Sequence, residues 1–483
     1  MARSILLVRL GMVGVLASVA LIAISLALPT FAARSADPAP QPIDWWTRVG
    51  GLEAWYFENG YTQSPPPAAT STRPHSFLPI AAHPSSARLS ASSTLTVTTY
   101  LPLVAKNHSP DEFRGVWISR FDWTGFGITP TTATLDTIVN NVKTANFNAI
   151  LFQVRGTADA YYTPGLEPWA ARLTGNLTKT LGVDPGWDPL AHLVAQAHAQ
   201  GIQVHAYINV FPAWVCGLGA PPETVTPTHL FWSLSYSVTW DDWRVWTVSG
   251  PDSYATCSDY LWATPALSLT RSHVAAVAAD LVTRYDIDGV HLDLVRYPGS
   301  TYSHDPFTRQ AYTDTLAISP TLTFAQWQPD FQRAQISSLV AQVYSAVTSI
   351  KPDAWVSAAV WPNYTGGRNS YYQDSKAWLA AGIIDANIPM LYSSDIITDL
   401  VAWTARMQGF LADDHGRYVI PGISAAYTST AEIFARIDAA RVAGAPGVAI
   451  FSYGALNTYG YFDDLGAGPF AIPAQVPKPG WKP

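Results

Sequence analysis

The hydrophobic positions of this chain change texture near Glu112. Downstream of it, short apolar or β-branched runs alternate with stretches of helical periodicity. Eight runs read as strands: Arg114–Ile118, Ala149–Val154, Gln203–Ile208, Gly289–Leu294, Trp355–Val360, Ala386–Leu391, Tyr418–Ile423 and Gly447–Phe451. They are nearly continuous in apolar residues, as strands buried on both faces are. Between them, Leu190, Leu193, Val194 and Ala197 recur at helical spacing, with Gly201 as a stop. Val274, Val277, Leu281 and Val282 repeat the pattern, as do Ile336, Leu339, Val340, Val343 and Val347. A strand followed by a helix, eight times within residues 111–470, predicts an α/β fold, a parallel (β/α)8 TIM barrel. A doubly wound open sheet is the competing architecture, weakened because no glycine-rich phosphate loop follows the first strand.

The connection after the third strand is long, from Phe211 to about Leu267, and carries Trp214, Phe231, Trp232, Trp240, Trp243, Trp246, Tyr260 and Trp262. Loops at this end of a barrel form its ligand face. Most of these rings are expected to pack the insertion's own small core, leaving one or two to line a cleft. Both cysteines, Cys216 and Cys257, lie in this insertion. A disulfide across it is expected in an oxidising compartment, with two separate thiols as the alternative.

That compartment follows from the first 33 residues. Arg3 and Arg9 precede an apolar run from Gly11 to Leu28, and small residues follow, with Thr30 and Ala32 placed for cleavage. Residues 1–33 therefore read as a secretory signal. A retained membrane anchor is the alternative, since a run of about 18 residues also suffices to cross a bilayer. Either way the chain is expected to be exported, extracellular or associated with the cell envelope. Residues 34–110 have the Pro, Ser and Thr content of a linker, interrupted by an aromatic island at 45–61, and 471–483 form a C-terminal tail.

Composition narrows the function. Lys and Arg number 28 against 35 Asp and Glu, a formal charge of −7, which argues against a nucleic-acid partner. Charged residues are only 13% while aromatics reach 12%, with 19 Trp and 23 Tyr. Few charges beside many amphipathic rings fit a sugar-like polymer, because rings stack on the apolar faces of sugars.

Catalytic groups of a barrel sit at the carboxyl ends of its strands. The fourth strand, within Asp288–Pro298, places His291 and Asp293 on one face, followed by Arg296 and Tyr297. A carboxylate on an apolar strand needs a partner or a task. Asp293 is the first candidate for the reacting carboxylate, and an ion pair to Arg296 or Arg155 is the structural alternative. Glycoside cleavage usually needs a second carboxyl group. Asp159 and Asp395, in loops at the correct end, are the candidates. Glu167 is more distant, and Asp385 precedes its strand. Gln153, Arg155, His205, Asn209, His291, Arg296 and Tyr392 are candidates for holding substrate. No cofactor is called for, and two cysteines cannot build a thiolate zinc cage.

The segments EFRGVWI (112–118), NFNAILFQVR (146–155), DAYYTPGLEPWAARLTG (159–175), GWDPLAHLVAQAHAQGIQVHAYINVFP (186–212), DGVHLDLVRYP (288–298) and IIDANIPMLY (383–392) occur in order. On these motifs the domain from about 112 to 455 resembles the glycosyl hydrolase-like 10 family of bacterial envelope proteins. The resemblance implies a (β/α)8 barrel and hydrolysis of glycosidic bonds, with peptidoglycan glycan strands stripped of their peptides as a substrate of some relatives. The third and fourth strands are also similar to α-amylase-type barrels, where the fourth-strand aspartate is the nucleophile, which matches Asp293. That type has a glutamate acid after its fifth strand, where this chain reads Val360, Trp361 and Pro362, and the family often has a second acidic or aromatic residue where this chain has Leu294.

Two other readings stand beside the glycosidase. One is a non-catalytic carbohydrate-binding barrel. The other is a metal-dependent hydrolase using His205, His291 and Asp293, although no His-x-His pair is present on one strand. A serine triad is not indicated: Gly422-Ile423-Ser424 is followed by two alanines, so no nucleophile elbow forms.

Overall fold

The computed structural model describes residues 110–253, 257 and 259–483. The chain divides into two units, Met1–Ile43 and Asp44–Pro483. The first unit, with the signal reading, and the linker with its island 45–61 lie outside the described residues. No helix among the described residues is long and apolar enough to cross a membrane.

Among the described residues, eight parallel strands form a ring: β1 (Phe113–Ile118), β2 (Ala149–Arg155), β3 (Gln203–Asn209), β4 (Gly289–Asp293), β5 (Trp355–Val360), β6 (Ala386–Pro389), β7 and β8 (Gly447–Phe451). β7 is in two pieces. Tyr418–Val419 pairs with β6 and Gly422–Ser424 pairs with β8, so the ring closes through one interrupted strand. Pro421, between the pieces, has no N–H to donate and breaks the ladder. The predicted barrel is the fold observed, and the open sheet is not.

Helices follow the strands. α1 (Thr132–Thr144), α2 (Pro189–Ala199), α3 (Ser268–Arg284), α4 (Phe324–Ile350), α5 (Ser375–Ala380), α6 (Leu400–Leu411), α7 (Thr430–Val442) and α8 (Tyr453–Tyr459) come after β1 to β8 in turn. Every periodic residue named for α2, α3 and α4 is buried. The start of α2 shows the local reason for its boundary: the Asp188 carboxylate accepts the Ala191 N–H at 3.0 Å, and Pro189 occupies the first helical position. Outward strand residues such as Val116, Ile150, Phe152, Val204, Ile208, Val290, Leu292 and Val356 pack under these helices in one large core.

The inward residues fall into rows. Register places Leu151, His205, Gly289 and Trp355 at one level, Gln153, Tyr207, His291 and Ser357 at the next, and Asn209 beside Asp293 at the top. The lower row is filled by rings: Phe113 stacks on Trp355 at 5.7 Å, and both meet the edge of His205 at 5.9 Å. Gly289 is required here, since a Cβ would lie 2.5 Å from His205 Nδ1 and 2.8 Å from the Trp355 carbonyl. Above it, His291 accepts the Trp117 indole N–H at 3.0 Å and bonds the Ser357 hydroxyl at 2.9 Å through its other nitrogen.

After β3 the chain leaves the ring in the long insertion. An antiparallel pair, Pro212–Val215 with Tyr260–Trp262, and a short helix, Leu230–Ser237, enclose a separate core containing Trp214, Phe231, Trp232 and Trp243. Cys216 and Cys257 are disulfide-bonded, with Cα atoms 5.7 Å apart.

The tail returns to the amino-terminal pole of the ring. Asp385, fully buried before β6, accepts the Trp481 indole N–H at 2.7 Å and the Val356 N–H at 2.8 Å, with Lys482 Nζ at 2.9 Å and Arg417 at 3.2 Å. Trp481 also meets the Tyr418 ring edge at 4.9 Å. Trp481→Ala removes a donor from a buried carboxylate together with an aromatic contact. It is expected to cost about 2–4 kcal/mol in guanidinium unfolding of the full chain, while Lys478→Ala, as a surface control, stays within about 0.5 kcal/mol.

Candidate active site

At the carboxyl end of β4, the Asp293 carboxylate is held by two donors. The Tyr207 hydroxyl, from the row below on β3, donates to Oδ2 at 2.7 Å, and the Leu294 N–H donates to Oδ1 at 2.6 Å. Leu294 has φ +52°, a left-handed turn that ends the strand one residue before the boundary expected from its apolar run. Such a turn in a leucine costs about 1–3 kcal/mol, and here it swings the amide onto the carboxylate. Among the described residues no cation lies within 4 Å of Asp293, so the ion pair weighed from the sequence does not form with Arg296 or Arg155. Arg296 acts on it through space, as Asp293 does on Tyr392, whose phenol is held well above its ordinary range by burial first and by this carboxylate second.

Arg155 is committed elsewhere. It is fully buried and forks onto Glu167, Nε at 2.8 Å and Nη2 at 2.8 Å from the carboxylate oxygens, while Nη1 bonds the backbone carbonyls of Asn209 and Val210. His273 closes the cluster on Glu167 at 2.8 Å. Burial pushes the Glu167 carboxyl up, but the charges of Arg155 and His273 prevail and hold it at about 2. This clamp fixes the long β2–α2 loop against β3, and Arg155, at 0% exposure, is closed to a ligand. The histidines are also out of reach. His205 lies in the lower row and His291 in the middle one, both enclosed, and burial pushes them down to about 4 and about 3. His205 and His291 therefore form the floor beneath the mouth rather than part of its rim, and among the described residues no group of three acidic, histidine or cysteine side chains is arranged to hold a metal ion.

The two candidate partner acids part company. Asp395 is 57% exposed, accepts from Ser393, and pairs with Arg406 at 2.9 Å. Burial raises its pKa slightly, but Ser393 and Arg406 outweigh that and lower it, so Asp395 is ill suited to carry a proton. Asp159 is buried after β2. Its Oδ1 accepts the N–H groups of Thr157 at 2.8 Å and Gly156 at 3.2 Å, and burial holds its pKa above the ordinary carboxylate value despite Arg120. An upward shift by burial is the direction an acid catalyst requires.

Two amides at the upper rows are half-satisfied. Gln153 Oε1 accepts the Arg120 N–H at 2.9 Å, while its Nε2 is buried with no partner, and Asn209 Oδ1 is likewise buried and unpartnered. Buried polar atoms without partners are costly, about 1–3 kcal/mol each, and at the open end of a barrel they are the expected contacts of a hydroxylated ligand.

The glycosyl hydrolase-like 10 family model matches residues 112–432. The chain belongs to this family. Glycosyl hydrolase YngK of Bacillus subtilis (strain 168) is 26% identical over 320 residues, covering 62% of this chain and 58% of YngK, so the match spans less than two thirds of that relative's length. Glycosyl hydrolase DigH of Escherichia coli (strain K12) is 26% identical over 322 residues, 60% of this chain and 68% of DigH. The glycoside hydrolase domain of PgaB (BpsB) from Bordetella bronchiseptica superposes with a TM-score of 0.52 at 13% identity, over 74% of this chain and 97% of that domain. That likeness is one of fold. The family match supports a glycosidase-type function.

In this glycosyl hydrolase-like 10 protein several residues at the mouth were not singled out from the sequence. Tyr207 is the donor to Asp293, and its inward face was readable from the period of two that links His205, Tyr207 and Asn209. Arg120 donates to the Tyr260 hydroxyl at 2.9 Å, joining β1 to the insertion. Asp122 ties the β1 and β8 exits together: Ser119 N–H reaches it at 2.7 Å, Gly454 and Ser452 also donate, and burial nonetheless pushes it up to about 7. Neither Arg120 nor Asp122 lies in a periodic run, so no pattern marks them.

The Glu167 clamp gives a test of the loop it holds. Glu167→Gln leaves the Arg155 guanidinium buried without its counter-charge and is expected to cost about 3–5 kcal/mol in denaturant unfolding at pH 7. The folded pKa lies below the unfolded value of about 4.3. The clamp's stabilisation is therefore complete above that value and is lost as pH falls toward about 2. The wild type should lose stability over that window more steeply than the variant.

Proposed function

We propose that this chain is an exported glycoside hydrolase that cleaves O-glycosidic bonds of a polysaccharide, with peptide-free peptidoglycan glycan strands as the first substrate to try. The observation that carries the reading is Asp293: a carboxylate at the carboxyl end of β4, without an ion pair among the described residues, aligned by Tyr207 and the Leu294 amide. Export rests on the sequence of residues 1–33 alone.

In this reading Asp293 is the nucleophile, or the charge that stabilises the oxocarbenium-like transition state. The Tyr207 O–H and the Leu294 N–H fix which oxygen lone pairs face the ring carbon, which lowers the reorganisation needed at the moment of reaction. Asp159, whose pKa burial raises, gives its proton to the departing oxygen. Gln153, Asn209 and Tyr392 hold hydroxyl or acetamido groups. A purely carbohydrate-binding barrel is the second reading, favoured by one feature: Asp159 Oδ1 already ties its own loop through two backbone N–H groups.

Asp293→Asn is expected to lower release of new reducing ends from the cleaved glycan by about 1,000-fold or more, with the melting temperature unchanged within a few degrees. Full turnover in this variant overturns the assignment. Glycan retained in pull-down by the wild type, with no reducing ends after long incubation, supports binding alone. Tyr207→Phe removes a bond to a charged acceptor and should cost about 10- to 100-fold in kcat.

For Asp159 the sign follows from its role. The protonated form is the active one, so kcat/KM falls as pH rises through its elevated pKa. In Asp159→Asn that alkaline limb should vanish, and an aryl glycoside with a good leaving group should recover most of the lost rate, because it needs no proton. An unchanged limb assigns the acid to another group.

A further inference from the structure

Arg296 follows Asp293 by three residues, and its surroundings are unlike those of the other arginines near the mouth. It is only 8% exposed, yet among the described residues no oxygen accepts a hydrogen bond from it and no carboxylate lies within 4 Å. Three rings enclose its guanidinium: Tyr371 at 5.1 Å, Trp262 at 5.5 Å and Trp361 at 5.5 Å from the ring centroids. They come from three places, Trp262 from the insertion, Trp361 from the end of β5 and Tyr371 from the loop after it, and Trp361 and Tyr371 lie against each other with centroids 3.8 Å apart. Asp293 and Asp259 attract the cation only at longer range. By contrast, Arg155 and Arg120 have acceptors in the protein.

A guanidinium carries five N–H donors in a planar fork and stays charged in any protein environment. Ring faces compensate its charge in part, each by about 0.5–2 kcal/mol, but they accept none of its in-plane hydrogen bonds. None of its nitrogens is sealed from solvent with an unmet donor, in contrast to Nε of Arg271 and Arg436. The rings thus surround the fork without accepting from it, and its donors remain unmet within the electrostatic reach of Asp293. Neutral amides, Gln153 and Asn209, with one unpartnered polar atom each, are the groups suited to hydroxyls. The acceptor that matches an immobilised, charged, five-donor fork is a carboxylate bound through two parallel N–H···O bonds.

We propose that Arg296 reads a carboxylate on the sugar next to the scissile bond, so that the substrate is an acidic glycan, its acid carried either on the ring, as in a uronic acid, or on an ether side chain, as in a muramic acid. The proposal rests on the glycosidase reading for the place of the scissile bond, but the recognition itself is a binding event and is separable from turnover. Arg296 is placed for this role because it follows the left-handed turn at Leu294 that ends β4, and because Trp262 comes from the antiparallel pair beside the Cys216–Cys257 disulfide.

The test is calorimetric titration of the full chain carrying Asp293→Asn, so that no probe is consumed, with three tetrasaccharides: peptide-free N-acetylglucosamine–N-acetylmuramic acid, galacturonate, and neutral chitotetraose. At least one acidic probe is expected to bind about tenfold or more tighter than chitotetraose, with an affinity that falls as salt is raised. Which acidic probe wins names the position of the carboxylate. Adding Arg296→Met should abolish the preference while leaving chitotetraose binding nearly unchanged. Arg296→Lys, which keeps the charge and loses the fork, should recover only part of it and guards against a folding defect in the methionine variant. Equal affinity for acidic and neutral probes, binding of none of them, or an equal loss for all three in Arg296→Met overturns the proposal and leaves Arg296 as a support for Asp293. Acidic-probe binding that depends on Arg296, in a wild type that releases no reducing ends, retains this inference and removes the catalytic one.

Discussion

Everything at the mouth depends on how the ring fills its own interior. Eight strands closed on themselves leave a narrow core in which each inward side chain must be packed or hydrogen-bonded. In the lower row the solution is aromatic, Phe113 and Trp355 around His205. In the middle row it is polar, with His291 between Trp117 and Ser357 and Tyr207 edge-on to its ring at 5.6 Å, while Gln153 Nε2 is left without a partner. At the top this column ends at the mouth, where Asp293 closes β4 beside Asn209. Tyr207 links the two regimes: its ring belongs to the packed column and its hydroxyl points upward to Asp293. The Asp293 carboxylate is thus seated on a floor that cannot shift without disturbing the column beneath it.

The same logic separates arginines that look alike in sequence. Arg155 and Arg296 each follow an apolar strand at its carboxyl end. Arg155 meets a buried glutamate and becomes part of the framework. Arg296 meets only aromatic faces and keeps its donors. What decides is the loop that arrives opposite: the β2–α2 loop brings Glu167, whereas the insertion and the β5 exit bring rings. Functional character at this rim is set by partners distant in the chain, and the strand ends supply only the positions.

This is also why the sequence was informative about the fold and less so about the site. The strand runs, the periodic faces of α2, α3 and α4, and the long insertion after β3 were legible because burial on both faces leaves an apolar record in consecutive residues. Breaks in that record had local causes: Pro421 divides β7, and Leu294 turns left-handed instead of extending β4. A period of two tells which face of a strand a residue occupies, not its height in the barrel. His205, His291 and Asp293 share that face, yet two of them lie in the floor. Height is set by strand stagger, which no single strand encodes. The partner acid was harder still, because Asp159 and Asp395 sit in loops whose burial depends on what covers them, and only the structure separates a buried carboxyl group from an exposed, ion-paired one.

The route of the described chain into and out of the ring has a practical side. Asp111 bridges to Gln475 beside the start of β1, and Trp481 and Lys482 dock below β5 and β6. The two ends of the folded body therefore attach at the same pole, on the side away from Asp293. A fusion partner, affinity handle or surface coupling joined at either attachment point would grip the molecule from behind and leave the opposite face unobstructed.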